Sequence, residues 1–430
     1  MLSSNITRGG DGALYFAGQS AAALAAEYGT PLDLMDEERI RANCRMYLDA
    51  FREHFPPGSL PLYAGKAASF KEMYRLMARE GMGVDAVSLG EILTALSAGF
   101  PAENIWFHGD AKTDEDIRRA LALGVGCFVV DNPEELSVLD RECRALGRRQ
   151  KILLRVTPGI DPHTYEAVNT GTVDVKFGVP IETGQAEDLV RRALASPGVE
   201  TVGLHCHVGS EVFDEDVFER TVDVMVRFMA RLRDDLGFLT RELDLGGGYG
   251  VRYVDGDPAA DIPRRIGEVA ARLRTRLAEY SLPLPRVLME PGRSIAADAG
   301  MTVYTVSTVK RIPDCKNYVI VDGGMADNPR YCLYGARYTV LPARPGTGEA
   351  LFDLAGRCCE SGDILQRWVP LPADNRRGDR VCVCTTGAYN YSMASNYNRL
   401  GRPPVVMLTP GESRIAVRRE TPEDVLALDI

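Results

Sequence analysis

The sequence has little of what marks a membrane, secreted or nucleic-acid-binding protein. No apolar run is long enough to cross a bilayer, and residues 1–20 lack the apolar core of a signal peptide, so we expect a cytoplasmic protein. Basic charge is in short supply, with 50 Lys and Arg against 60 Asp and Glu, a net charge of -10. This charge balance does not attract nucleic acid or an anionic membrane, so we expect neither as a partner.

Histidine is scarce, and the cysteines do not indicate the disulfide framework of a secreted protein. Ten cysteines in 430 residues, with no secretory signal, indicate reduced thiols. Cys382 and Cys384 alternate along an apolar strand pattern, which favours two buried side chains over two metal ligands. With only five histidines as well, we expect no metal site.

From residue 60 onward the sequence alternates short β-rich segments with longer helical ones. This alternation is typical of parallel βα units, and eight units in a chain of this length predict a (β/α)8 TIM-like barrel. The predicted strands are residues 61–64, 83–87, 105–108, 127–131, 152–157, 202–208, 242–245 and 286–290.

A second, mostly β domain is predicted after the barrel. Segments 301–309, 318–321, 338–341 and 380–384 have strand patterns separated by Gly, Pro and Asp turns. A further strand-like piece, 13–17, precedes the barrel, and we expect it to join the C-terminal β domain. The predicted domains are 36–297 for the barrel, and 1–35 with 298–430 for the β-rich domain.

The unusual residues of the chain fall at the predicted strand ends, where barrels of this kind build their active sites. Lys66 follows the first strand, and in a desolvated space its amine would lose its charge and become a Schiff-base nucleophile. The second strand leads to Asp85 and Ser88. The sixth carries His205 and His207, which strand alternation would place on one face.

A glycine run, residues 246–248, follows the seventh strand. Glycines let backbone N–H groups close on a phosphate, and barrels often bind phosphate after strands seven and eight. Arg293 after the eighth strand and the hydroxyl of Ser210 would complete this cradle. A tight turn that needs positive φ is the alternative, and the position of the run favours phosphate.

A lysine and a phosphate cradle at one barrel mouth together predict pyridoxal phosphate. The cofactor needs an aldehyde partner, a phosphate anchor, a group stacked on its ring and an acid at its ring nitrogen. His207 suits the stacking position, and Glu290 suits the ring nitrogen. A zinc hydrolase is the competing hypothesis, because His-x-His at a strand end binds zinc. We disfavour it because no second ligand cluster is apparent at the other strand ends.

The chain resembles the fold-type III pyridoxal-phosphate decarboxylases, and within them those that act on diaminopimelate. The matching segments run nearly end to end: YAGKA, VDAVSLGE, FHGDAKT, TG…KFG, GLHCHVGS, LDLGGGYG, EPGRS, DNPR…LYGA, CCESGD and GAYNYSMASNYN. The resemblance implies decarboxylation of meso-2,6-diaminopimelate to L-lysine and CO2, the last step of bacterial lysine synthesis. It also implies a homodimer with shared active sites, in which the β domain contributes substrate and dimer contacts.

The resemblance implies roles for individual residues as well. Lys66, His207 and Cys359 would be catalytic, with Cys359 reprotonating the α-carbon from a segment that reaches the partner's site. The residues expected to contact the cofactor are Lys66, Asp85, His207, Ser210, Gly247, Gly248, Glu290, Gly292, Arg293 and Tyr389. Those expected to bind the substrate are Arg293, Arg330, Tyr334, Glu360, Ser361 and Tyr389.

Glu360 is the main reason for expecting diaminopimelate. Relatives that act on ornithine or arginine have no distal carboxylate to bind and usually carry aspartate at this position. A distal carboxylate calls for arginine, which binds it bidentately, and a distal ammonium calls for a carboxylate such as Glu360. Three positions depart from the common pattern, Tyr331, Glu211 and Tyr165, so fine specificity stays open.

Other functions remain as alternatives. The same fold and cofactor would serve a decarboxylase of ornithine, arginine, lysine or a related diamino acid. An amino-acid racemase is less favoured, because racemases tend to place arginine where this chain has Glu290. A non-catalytic relative would have lost Lys66, the glycine cradle or Cys359, and all are present.

Overall fold

The computed structural model describes residues 3–161, 171–172 and 174–430. Its contacts divide the chain into two compact units. The barrel unit consists of residues 43–250 and 260–292, and the β unit of residues 1–42, 251–259 and 293–430. The sequence predicts boundaries near 36 and 297 with no break between them, whereas the contacts group 251–259 with the β unit.

The barrel unit is built on a closed parallel sheet of eight strands. Each strand pairs with the next in chain order, and Leu288 pairs with Leu60 to close the ring. This confirms the predicted (β/α)8 fold. The strands are Leu60–Ala64, Gly83–Ala86, Ile105–Phe107, Cys127–Val130, Gln150–Thr157, Val199–His205, Glu242–Asp244 and Arg286–Met289.

Amphipathic helices alternate with these strands. In Val217–Leu236, for example, Phe218, Val222, Met225 and Met229 are buried at the three- and four-residue spacing of one helix face. The helices between the strands are Lys71–Glu80, Leu89–Ser97, Asp114–Leu123, Pro133–Ala145, Gln185–Ala195, Val217–Leu236 and Ile262–Glu279. A further helix, Glu37–His54, precedes the first strand in the chain.

The β unit contains a seven-strand path of paired strands, with two more strands beside it. The N-terminal strand Leu32–Asp36, which the sequence analysis did not predict, lies between Gly300–Arg311 and Val405–Thr409, so both chain ends form one sheet. The order along the sheet is Ile364–Pro372, Glu349–Ala355, Asn317–Val321, Gly300–Arg311, Leu32–Asp36, Val405–Thr409 and Glu412–Val417. Arg380–Cys384 pairs with Gly300–Arg311, and Val340–Pro342 pairs with Arg380–Cys384.

The N-terminal residues of the β unit also supply part of its core. A small antiparallel sheet of Ile6–Arg8, Leu14–Phe16 and Gln19–Ser20 leads into the helix Ala21–Tyr28. Its apolar side chains pack with those of the large sheet, and Cys382 and Cys384 lie in the same cluster. In the part of the chain that the structure describes, no helix is long and apolar enough to cross a membrane.

Candidate active site

Lys66 lies in a single 3-10 turn, Gly65–Ala67, directly after the first barrel strand. The two flanking residues are buried, whereas Lys66 itself is exposed. Gly65 is needed here, because a Cβ would lie 2.7 Å from the Tyr74 hydroxyl. The Tyr63 hydroxyl donates to the carbonyl of Ala68 at 3.1 Å and fixes the exit of the turn. The turn therefore presents the lysine from an otherwise packed strand end.

Three buried carboxyl groups lie at the ends of the second, seventh and eighth strands. Asp85, Asp244 and Glu290 are 1%, 0% and 7% exposed. Burial, followed by repulsion from Glu290, raises the pKa of both aspartates well above their usual value. Burial also opposes ionisation of Glu290, but two neighbouring histidines outweigh it and lower its pKa well below the usual value. Of the three groups, Glu290 is therefore the one that ionises most readily.

The two histidines come from different strands and approach the same oxygen. His108 Nε2 lies 3.1 Å and His205 Nε2 lies 3.0 Å from Glu290 Oε1. Their rings meet edge to face, with centroids 4.9 Å apart. These three residues offer ligand atoms within 4.8 Å of one another, so the inference that the other strand ends lack a second cluster was wrong. His108 directly follows the third strand, and that position was the signal that sequence analysis missed.

Strand alternation predicted that His205 and His207 share one face of the strand, and this prediction was wrong. The strand ends at His205, and His207 follows it outside the sheet. The Gly247 N–H donates to His207 Nδ1 at 3.1 Å, which makes Nδ1 an acceptor. Desolvation, followed by the nearby charge of Lys66, lowers the pKa of His207 well below its usual value. The side chain is therefore a neutral imidazole with its proton on Nε2.

The glycine run packs closely against two neighbouring strand ends. A Cβ at Gly247 would lie 2.1 Å from the Glu290 carbonyl oxygen, and one at Gly248 would lie 2.2 Å from that of Gly209. Gly246 has a φ of 67° and Gly248 a φ of 128°. The N–H of Gly246 donates to the Asp244 carboxylate and that of Gly247 to His207. Tight packing thus accounts for much of the run, and two of its three N–H groups are used within the protein.

Three other residues at this end have simpler positions. Ser88 caps the helix Leu89–Ser97 by accepting from the N–H of Glu91 at 3.2 Å, a structural role. Gly292 faces the first strand end, where a Cβ would lie 2.9 Å from that of Ala64. Ser210 is half-buried and directly follows Gly209.

The β unit holds a different kind of cluster, made of two buried arginines and several tyrosines. Arg293 and Arg330 are 5% and 3% exposed. Arg293 Nη1 donates to the Tyr253 hydroxyl at 2.7 Å, and Arg330 Nη1 donates to the same hydroxyl at 3.4 Å. Arg330 Nη1 also donates to the Tyr338 hydroxyl at 2.7 Å. Sequence analysis missed Tyr253 and Tyr338, because neither lies in a motif beside the arginines.

Tyr389 belongs to the same cluster. Its ring lies 4.9 Å from the Arg293 guanidinium carbon and 5.8 Å from that of Arg330. Its backbone φ of 68° is unfavourable for a tyrosine. Tyr334 ends the short helix Arg330–Tyr334 and is half-buried.

The Cys359, Glu360 and Ser361 side chains are exposed on the β unit. The N–H of Cys359 donates to Asn398 Oδ1 at 2.8 Å, which anchors the segment. The preceding Cys358 is buried, and burial raises the pKa of its thiol to about 12. Of the two adjacent thiols, only Cys359 is presented to the surroundings.

Three positions depart from the common pattern of the family. The structure describes two of them, Glu211 and Tyr331, but not Tyr165. Glu211 adopts a φ of 62°, and Tyr331 lies within the helix Arg330–Tyr334. Tyr165 and Thr170 of the TG…KFG segment lie outside the described residues.

Comparison with known proteins identifies the family. Residues 38–297 match the model of the pyridoxal-dependent decarboxylases, in their pyridoxal-binding domain. The chain belongs to this family. A diaminopimelate decarboxylase of Actinosynnema pretiosum is 44% identical over 97% of this chain and 93% of its own length.

Solved structures give the same family. A diaminopimelate decarboxylase of M. jannaschii in complex with L-lysine superposes with a TM-score of 0.91 at 31% identity, covering 100% of this chain and 99% of that one. A lysine/ornithine decarboxylase of Vibrio vulnificus, in complex with putrescine, gives a TM-score of 0.75 at 26% identity, covering 90% and 97%.

The cofactor of the family is pyridoxal phosphate, and the barrel end suits it. Within the described residues, Glu290 Oε1, Asp85 Oδ1 and Asp244 Oδ2 are buried without a hydrogen bond. Buried acceptors need donors, and a protonated ring nitrogen is one. The exposed amine of Lys66, after the first strand, is of the type that binds an aldehyde. The residues present therefore fit the family's cofactor.

Proposed function

We propose that this chain removes CO2 from meso-2,6-diaminopimelate at its D-centre and yields L-lysine, using pyridoxal phosphate. The observation that carries the choice of substrate is the pair of buried guanidinium groups, Arg293 and Arg330, in the β unit. Ornithine, arginine and lysine have one carboxylate, the one that leaves, whereas diaminopimelate keeps a second one that needs a cation. The proposal agrees with the names of the relatives that the chain matches over nearly its whole length.

At the barrel end, each residue has a distinct task. Pyridoxal phosphate supplies an electron sink for the pair released when the bond from the α-carbon to the carboxylate breaks. Lys66 would hold the aldehyde, and the neutral imidazole of His207 would support the ring. Ionised Glu290 keeps a proton on the ring nitrogen. Asp85, Ser210, Gly247, Gly248 and Gly292 complete the cofactor site.

In the β unit, the task is recognition. Arg330 holds the distal carboxylate, and Arg293 contributes to binding the substrate and the cofactor. Their planar guanidinium groups bind carboxylates and phosphates bidentately. Tyr334, Tyr389 and Ser361 line the substrate, and Glu360 accepts from its distal ammonium.

We also propose a cytoplasmic homodimer in which each active site is shared. Support comes from Cys359, whose exposed thiol lies beside the exposed Glu360 and Ser361. In this arrangement the segment reaches the partner's site, and Cys359 returns a proton to the α-carbon after CO2 has left. The test is complementation: Lys66→Ala and Cys359→Ala, each inactive alone, regain partial activity when mixed. Failure to complement, with subunit exchange confirmed, contradicts the shared site.

Substrate choice is tested by CO2 release. Purified holoenzyme is incubated with meso-diaminopimelate, ornithine, arginine and lysine in parallel, and kcat/KM is compared. We expect diaminopimelate to be preferred by a wide margin. Preference for ornithine or lysine would instead establish the alternative, a decarboxylase of another diamino acid.

A further inference from the structure

We propose that His108 and His205 are positioning residues that hold Glu290 in the orientation and charge state required at the cofactor's ring nitrogen. The inference rests on the proposed function, since it is there that Glu290 acts on the ring. Sequence analysis gave neither histidine a catalytic, cofactor-binding or substrate-binding role.

The geometry is that of a two-sided clamp. His205 is the last residue of the sixth strand, and His108 follows the last residue of the third. Their Nε2 atoms lie 3.0 Å and 3.1 Å from the same oxygen, Glu290 Oε1. The two rings also contact each other edge to face. Both side chains are almost wholly buried, so the barrel wall fixes their positions.

The clamp explains why the pKa of Glu290 shifts in the opposite direction from those of Asp85 and Asp244. Burial lowers the pKa of both histidines. Burial also opposes ionisation of Glu290, but the two histidines, whose Nε2 atoms lie 3.1 Å and 3.0 Å from its Oε1, outweigh it and lower its pKa. Asp85 and Asp244 face the same space, and the pKa of each is raised by burial and then by Glu290. Environments that separate the pKa values of neighbouring acids assign their roles.

Other charged groups also act on this cluster. The groups whose charges act on Glu290 or on its two histidines include Asp85, Asp244, Asp131, Lys112, Arg155 and His207. None of them replaces the clamp, because His108 and His205 are the groups with nitrogen atoms at about 3 Å from Glu290 Oε1 in the described structure.

The experiment removes and restores the nitrogen atom that each histidine places beside Glu290. His108→Leu and His205→Leu remove the nitrogen, and His108→Gln and His205→Gln place an amide N–H near the position of Nε2. His54→Gln is the matched control, because His54 ends the helix Glu37–His54 and its ion-pair neighbour is Glu53. If a leucine variant does not fold by circular dichroism, His108→Asn or His205→Asn takes its place, since its amide is too short to reach Glu290.

The first readout needs no substrate. The visible absorption of the bound cofactor is titrated with pH in each holoenzyme, and the dissociation constant of pyridoxal phosphate is measured on the apoenzyme. We expect the titration midpoint of the leucine variants to move down by about one pH unit, a tenfold loss in proton affinity, because the cofactor loses its counter-charge. The titration midpoints of the glutamine variants should return most of the way to the wild-type value, and that of His54→Gln should equal it.

The second readout compares the effect of each variant on kcat with its effect on KM. Removing residues that orient a functional group typically costs about 10- to 100-fold in activity, and here we expect that loss in kcat with KM for diaminopimelate unchanged. A titration midpoint identical to wild type in the leucine or asparagine variants overturns the proposal. So does stoichiometric metal in the active holoenzyme with loss of activity on chelation, because the histidines would then hold a metal ion instead of acting on Glu290 directly.

The proposed substrate and the proposed clamp can be disproved independently of each other. If wild type releases no CO2 from diaminopimelate, the proposed substrate is wrong, but the absorption titration still tests the clamp. If CO2 release is normal and the midpoint does not move, the clamp is wrong and the proposed substrate stands.

Discussion

The barrel end and the arginine cluster of the β unit use opposite charges in opposite ways. The barrel end gathers buried acids whose protonation depends on their surroundings: the pKa of Asp85 and of Asp244 is raised, and that of Glu290 is lowered. The β unit gathers Arg293 and Arg330, whose charge does not depend on pH in the working range. The first arrangement suits electron and proton movement at a cofactor, and the second suits constant recognition of an anion.

The two regions also differ in how the backbone fixes them. Residues of the barrel end follow closed, hydrogen-bonded strands, so their positions are set by the sheet. The arginine cluster joins separate parts of the chain: Arg330 lies in the short helix Arg330–Tyr334, Arg293 lies elsewhere, and Tyr253 lies in residues 251–259. Side-chain hydrogen bonds, such as that from Arg293 to Tyr253, connect them. Variants should therefore affect chemistry in one region and binding in the other.

The largest effect should follow from Lys66→Ala. Without the amine, the cofactor has no covalent anchor, so activity and the link trapped by borohydride should both disappear. Peptide mapping of reduced wild type should find the label on Lys66. The control is Lys71→Ala, which changes an exposed lysine at the start of the next helix and should keep both properties. A reducible link that survives in Lys66→Ala would show that another lysine is used.

Next in size should be Arg330→Gln. Removing one partner of a buried charged contact costs about 2–5 kcal/mol, so kcat/KM for diaminopimelate should fall by about 100-fold, mainly through KM. The absorption spectrum of the bound cofactor should not change. Arg337→Gln is the control, since Arg337 is exposed and lies 3.6 Å from Asp257. An equal loss in both variants would remove Arg330 from recognition.

A stability effect is expected from Asp33 of the β unit. Burial raises its pKa from 3.8 to about 7, so between pH 4 and 7 the folded state keeps a proton that the unfolded state has lost. The free energy of unfolding should therefore fall as pH rises through this window, by as much as about 4 kcal/mol, and level off above it. Denaturation midpoints measured against pH should show a smaller fall in Asp33→Asn. Asp314→Asn, an exposed site, should keep the wild-type slope; an unchanged slope in Asp33→Asn would contradict the shift.

The smallest effect should come from a helix cap on the barrel surface. The Thr113 hydroxyl accepts from the N–H of Asp116, and the Asp116 carboxylate accepts from that of Thr113. Thr113→Ala should lower stability by about 1 kcal/mol and leave kcat and KM unchanged. Thr113→Ser keeps the hydroxyl and should recover most of the loss. A change in kcat would mean that this helix is coupled to the chemistry.

Much of the barrel end could be predicted from sequence, because its order follows the chain. Alternating segments predicted the eight strands, and residues at or just after their C-terminal ends, such as Lys66, Asp85 and Glu290, come together once the sheet closes. His108 was missed, although its position directly after the third strand was a signal, because it was not considered together with residues of distant strands. The alternation argument for His207 was wrong, because the strand ends two residues earlier.

The arginine cluster was less predictable, because its contacts join distant parts of the chain. Family resemblance indicated Arg293, Arg330 and Tyr389, but Tyr253 lies about 40 residues before the first of them and 77 before the second. No periodicity connects these positions. Their proximity depends on how residues 251–259 join the β unit, which local sequence does not encode.

The division of labour between the two regions is tested most directly by measuring kcat and KM for diaminopimelate in Glu290→Gln beside Arg330→Gln. Glutamine at position 290 has no charge to keep the ring nitrogen protonated, so kcat should fall by about 100-fold or more with KM nearly unchanged. Glutamine at position 330 should raise KM and affect kcat far less. A raised KM with normal kcat in Glu290→Gln, or the reverse pattern in Arg330→Gln, would contradict this account.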